Sequence, residues 1–113
     1  MKVIVASRDL LAAGRLEAPA RAAGADIEIV SPEAMVESLR ADHHDLLVLD
    51  LDGGGRDLLA KVEEARAERV LPERVVGYFS HIDEEMAEAA SLAAVHALPR
   101  GRFWRELPQL FSR

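Results

Sequence analysis

The chain has 113 residues, no cysteine, and 20 acidic against 14 basic side chains, for a formal net charge of −6. Half of its residues are hydrophobic and 30% are charged, the balance of one folded domain over residues 1–113 and not of a disordered chain. These figures exclude disulfides, thiolate nucleophiles and cysteine-ligated zinc, leave no apolar run near the ~20 residues of a membrane span, and lack the basic excess of a nucleic-acid binder.

The apolar stretch after Met1 is too short for a secretory h-region, so a cytoplasmic protein is expected. Five short and nearly continuous apolar runs read as strands of a parallel sheet buried on both faces: Val3–Ala6, Asp26–Val30, Leu46–Leu51, Arg74–Phe79 and Val95–Leu98. After the first run comes a helical stretch, Asp9–Ala23, that contains Gly14 and Pro19. An interior proline costs ~3 kcal/mol and removes a backbone donor, which predicts a kink or break near Pro19. Gly24 is placed to stop this helix. The second run leads into Ser31-Pro32-Glu33, a capping hydroxyl, a proline at the first helical position and an acid at the positive end of the dipole.

His43-His44-Asp45 precedes the third run. Adjacent side chains diverge and no further histidine stands at ligand spacing, so a solvated turn is expected there. The third run closes on Asp50-Leu51-Asp52, and Gly53-Gly54-Gly55 then reads as a mobile connection without the lysine and hydroxyl of a phosphate loop. Glu63-Glu64 and Glu84-Glu85 place surplus acids on helices, where they serve solubility. Pro72 follows the third helix. The fourth run ends at Ser80, which with Asp83 three residues on reads as a serine helix cap. His81 reads as a helix N-terminal residue at the pocket rim, with an acid/base role as the sharper alternative. In the last helix Phe103, Leu107, Leu110 and Phe111 share one apolar stripe, Trp104 lies about 100° off it, and Pro108 ends regular helix. Arg100, Arg102 and Arg105 read as a solvated face. Strands alternating with helices make a doubly wound, three-layer α/β/α sandwich the economical fold, with ligand-facing loops at the carboxyl ends of the strands.

The run Asp45-Leu46-Leu47-Val48-Leu49-Asp50-Leu51, with Ser80 ending the fourth strand and Leu98-Pro99-Arg100 ending the fifth, resembles the receiver domain of bacterial response regulators, and the likeness covers the whole chain. The resemblance implies a flavodoxin-like domain with strand order 2-1-3-4-5. It also implies a phosphoacceptor at Asp50, a hydroxyl partner at Ser80, and Arg100 in the place of the family's lysine. The family's magnesium-binding acid pair follows the first strand, and here Ser7-Arg8 stands in its place. Magnesium demands hard oxygen ligands in near-octahedral geometry, so a guanidinium there points to a degenerate, stand-alone pseudo-receiver that needs no cofactor. Asp9 and Asp52 are the candidate substitutes if the metal site survives. The family's aromatic switch position holds Ala97.

Two expectations stand for Asp50 itself. Either Arg8 or Arg100 pairs with it and takes part of the metal's electrostatic role, or it is a solvated strand end. The expected function is a non-catalytic signalling or scaffold module that leaves its signal through association with another chain. A homodimer through the last helix, with Trp104 as contact anchor, is one form of that association. Two alternatives belong to other classes. One is a phosphorylatable receiver using Asp50. The other is a small phosphohydrolase with Asp50 as nucleophile, suggested by Asp50-Leu51-Asp52-Gly53, which is similar to the D-x-D-G opening of haloacid-dehalogenase-like phosphatases. Its position on the third strand makes that a chance match.

Overall fold

A computed structural model describes residues 1–112. The strands are β1 (Lys2–Ala6), β2 (Asp26–Val30), β3 (Leu46–Asp50), β4 (Arg74–Phe79) and β5 (His96–Pro99). They form one sheet in the order β2-β1-β3-β4-β5, and every neighbouring pair runs parallel. This is the flavodoxin-like order, in which β1 and β3 part company at a topological switch point. The helices are α1 (Leu10–Ala13), α2 (Glu17–Ala22), α3 (Pro32–Ala41), α4 (Gly55–Ala67), α5 (Glu84–Leu92), α6 (Arg100–Arg105) and α7 (Leu107–Leu110).

Strand alternation divides the core in two. Val3, Val5, Leu46, Val48, Val76 and Tyr78 face α1, α2, α6 and α7, where Leu16, Phe103, Leu107 and Phe111 meet them. Ile4, Ala6, Leu47 and Leu49 face α3, α4 and α5, where Met35, Leu58 and Val62 fill the space. All five residues of central β3 are buried, whereas edge strand β2 exposes Asp26 and Glu28. Charges on an edge discourage pairing with a further strand.

Helix boundaries depart from expectation where proline and side-chain competition decide them. The first helix does break, but upstream of Pro19: Gly14–Leu16 forms a 3-10 turn between α1 and α2. A proline lacks the N–H that would reach the carbonyl four residues earlier, here Arg15, and its ring clashes with that carbonyl. The distortion therefore falls inside the 3-10 turn while Pro19 itself sits in α2. Pro32 does open α3, yet Ser31 makes no side-chain capping bond. Ser80 is not the cap of α5. Asp83 is, its Oδ1 accepting the Met86 N–H at 2.7 Å. The stripe of the last helix is buried as expected, but the helix divides at Glu106, and Pro108 lies in the first turn of α7 instead of ending regular structure.

The turn before β3 corrects a second expectation. His43 is exposed, but His44 is 3% exposed, with its Nε2 3.0 Å from Glu28 Oε1. The turn is folded in because it crosses the amino end of β1: the Lys2 N–H donates to Asp45 Oδ2 at 2.7 Å, and the Lys2 ammonium pairs with Asp42.

Candidate functional site

Parallel register brings the ends of β1, β3 and β4 to one crevice. Asp50 lies opposite Tyr78, so both side chains emerge on the same face. Ser7, one step past β1, is fixed by its N–H donating to the Val30 carbonyl at 3.0 Å. Its hydroxyl donates to Asp50 Oδ2 at 2.7 Å. The other carboxylate oxygen, Oδ1, accepts the Asp52 N–H at 3.0 Å. Asp50 is 5% exposed and Ser7 fully buried. The acid is thus neither solvated nor paired with arginine. Two neutral donors hold it, one on each oxygen.

Asp52 is the second centre of the crevice. Its Oδ1 and Oδ2 accept the Ser80 N–H at 2.8 and 3.0 Å, and Oδ2 accepts Arg100 Nη2 at 3.0 Å. One carboxylate therefore ties the loop after β3 to the loop after β4 and to the start of α6. Burial opposes ionisation of Asp52, but the donors from Ser80, Arg100 and the His81 backbone outweigh it and hold the carboxyl below its usual value. The same Asp52 bond raises Arg100 above its ordinary value. Arg100 also lies over the Tyr78 ring, 5.3 Å from its centroid, at cation–π range. Tyr78 in turn stacks on Phe103 at 4.7 Å between centroids. Burial and the nearby Asp50 charge push the Tyr78 phenol well above its ordinary value, so it stays protonated.

Both arginine pairings expected for Asp50 are overturned. Arg100 goes to Asp52, and Arg8 turns to the rim, where it meets Asp57 at 3.2 Å and Glu33 at 3.5 Å. The glycine loop explains the second path. Arg8 lies across Gly54, where a Cβ would come within 2.5 Å of Arg8 Nε, and Gly54 also holds φ at +97°, a region that glycine enters freely. Asp9 caps α1, its Oδ1 accepting the Ala12 N–H at 3.0 Å.

The residues present do not fit a magnesium ion. Ser7 and Arg8, a hydroxyl and a guanidinium, follow β1, and the nearby acids Asp9 and Asp52 already have hydrogen-bond partners. Among the described residues, no three His, Cys, Asp or Glu side chains gather in a way that could hold a metal ion.

Of the residues expected at the site, Ser7, Asp50, Asp52, Ser80 and Arg100 come together in the crevice, while Arg8, Asp9 and His81 line its exposed edge. Trp104 is half-buried against the core on the α6 side, edge-on to Phe103 at 6.3 Å. Sequence reasoning missed Tyr78, the residue on which Arg100 rests. Counting alternation back along β4 from its pairing with Asp50 was the signal that could have found it. Compared with known proteins, the chain matches no family model and no curated sequence.

Proposed function

We propose that the chain is a receiver-like binding module in which the acceptor position has been converted into a structural joint, so that it works through contacts with another protein and without phosphotransfer. The observation that carries this reading is the state of Asp50. A phosphoryl acceptor or a hydrolytic nucleophile must present a carboxylate lone pair to an incoming phosphorus atom. Asp50 is buried at 5% exposure, and each of its oxygens is held by a donor, so its remaining lone pairs have little access to an incoming phosphorus atom. The same burial argues against the phosphohydrolase alternative.

The Asp52 joint supports the reading from the other side. Signalling by an acceptor site requires the surrounding loops to have two arrangements that the modification can choose between. Here an internal carboxylate holds Ser80 and Arg100, so the loops after β4 and β5 already have a built-in anion in the place of an added one. A titration of the isotope-labelled protein with beryllofluoride and magnesium, followed by NMR, tests the proposal. The amide signals of Ser7, Asp50, Asp52 and Ser80 are expected to stay in place. Saturable shifts centred on Asp50 and Ser80 would establish a phosphorylatable receiver instead.

A further inference from the structure

We propose that the groove between α4 and α5 is a docking face for a basic amphipathic helix of a second protein, which inserts an aliphatic side chain beside Leu92. The inference rests on the binding-module reading above and names the partner's chemistry. The groove measures about 410 Å³ and is lined by Leu59, Ala60 and Glu63 of α4 and by Ala89, Leu92 and Ala93 at the end of α5. Positions 56, 59/60 and 63 of α4 and 85, 89 and 92 of α5 follow helical spacing, so each set forms one face. Leu59 forms a buried floor and the alanines leave room above it. Leu92 stands at the wall, 81% exposed.

Charge decides which occupant fits. The cations beside the groove already have partners: Arg56 pairs with Glu85 at 2.8 Å, and Arg66 pairs with Glu63 at 3.4 Å and donates to the Ala93 carbonyl. Helix α5 carries Glu84, Glu85 and Glu88 and no basic residue. Among the described residues Glu84 and Glu88 have no ion pair, and both are exposed. An apolar slot flanked by unpaired acids matches a helix with an aliphatic anchor and lysine or arginine on its flanks. A second copy of this chain fits less well, because a two-fold contact through the groove would set acidic α5 against acidic α5.

The test is an NMR titration of the full chain with a synthetic amphipathic helical peptide of leucine and lysine, alongside a matched peptide of leucine and glutamate. The lysine peptide is expected to shift signals of residues 59–63 and 85–93 and to weaken as salt is raised, while the glutamate peptide gives no response. Leu92→Ala and Glu88→Lys are each expected to weaken the lysine peptide about tenfold. Both positions are exposed, so unchanged spectra elsewhere will show that the fold is kept. Shifts centred on another face, such as that around Trp104, or affinities unchanged in both variants, overturn the proposal. So does a dimer in sedimentation that Leu92→Ala dissolves, which would make the groove a self-interface. The beryllofluoride titration reports on Asp50 alone, so failure of the docking face and failure of the functional reading are distinguishable.

Discussion

The crevice at the carboxyl ends of the strands and the outer face of α5 treat their charges in opposite ways. In the crevice every acid has a partner: Asp50 takes Ser7 and the Asp52 backbone, Asp52 takes Ser80 and Arg100, and Asp9 caps a helix. Arg8 lies across Gly54 and pairs with Glu33 and Asp57. On α5, Glu84 and Glu88 have no ion pair among the described residues and Leu92 stands uncovered. Groups with satisfied hydrogen bonds stabilise a structure and are poor reactants. Groups left unsatisfied at the surface cost little there and remain available to a partner. The contrast teaches that the crevice groups serve as a brace that holds loops together, and that the groups left without partners lie on a helix face.

The brace is most severely tested at its base. Phe103 is buried under Tyr78, whose ring carries Arg100. Phe103→Ala is expected to lower unfolding free energy by about 3–5 kcal/mol through lost burial and the cavity it leaves, measured by urea denaturation. A loss under ~1 kcal/mol would mean that the crevice does not lean on this stack. Asp50→Ala comes next. It removes the acceptor of the part-buried Asp52 N–H and leaves the Ser7 hydroxyl only the Asp9 carbonyl at 3.1 Å, with an expected loss of about 1–3 kcal/mol. A gain in stability would instead mark Asp50 as a strained residue kept for chemistry, and would break the contrast.

A smaller and more local effect is expected at Asp52. Its carboxyl is held below the usual value by Ser80, Arg100 and the His81 backbone acting against burial. A depressed folded value means that its contribution is fully present above the unfolded pKa of about 4 and is lost as pH falls through the folded value. The Ser80 amide proton signal should therefore hold steady at neutral pH and move as the solution is taken below that range. In Asp52→Asn it should sit near the acid-limit position at every pH. A Ser80 signal indifferent to both changes would show that the joint is not formed in solution.

How legible each feature is in the sequence depends on the range of the interactions that set it. The strands and the two-faced core are legible because alternation and apolar runs are local, as in Leu46-Leu47-Val48-Leu49. The stripe Phe103–Phe111 is legible for the same reason, down to its four buried positions. The crevice residues are legible as a set, since register alone places Ser7, Asp50 and Ser80 at strand ends. Their pairings are not. Arg8 is kept from Asp50 by the course of its side chain over Gly54, and Arg100 by the closer carboxylate of Asp52. Such choices turn on distances between side chains far apart in the chain, to which spacing is blind. His44 escapes a sequence reading on similar grounds: its ring bonds to Glu28 of an edge strand, which no local pattern connects to it.

The smallest expected effects sharpen the comparison most. Leu92→Ala removes an aliphatic side chain that is 81% exposed, and Glu88→Lys reverses a charge with no ion pair among the described residues. Neither change opens a cavity or strands a buried group, so each should alter stability by no more than about 0.5 kcal/mol in urea denaturation. Alanine is also the better helix former, which works in favour of the first variant. If Leu92→Ala instead costs more than ~1 kcal/mol, and the cost grows with protein concentration, then Leu92 is covered by another copy when the protein is folded. The outer face of α5 would then be as fully partnered as the crevice, and the two regions would no longer differ in kind.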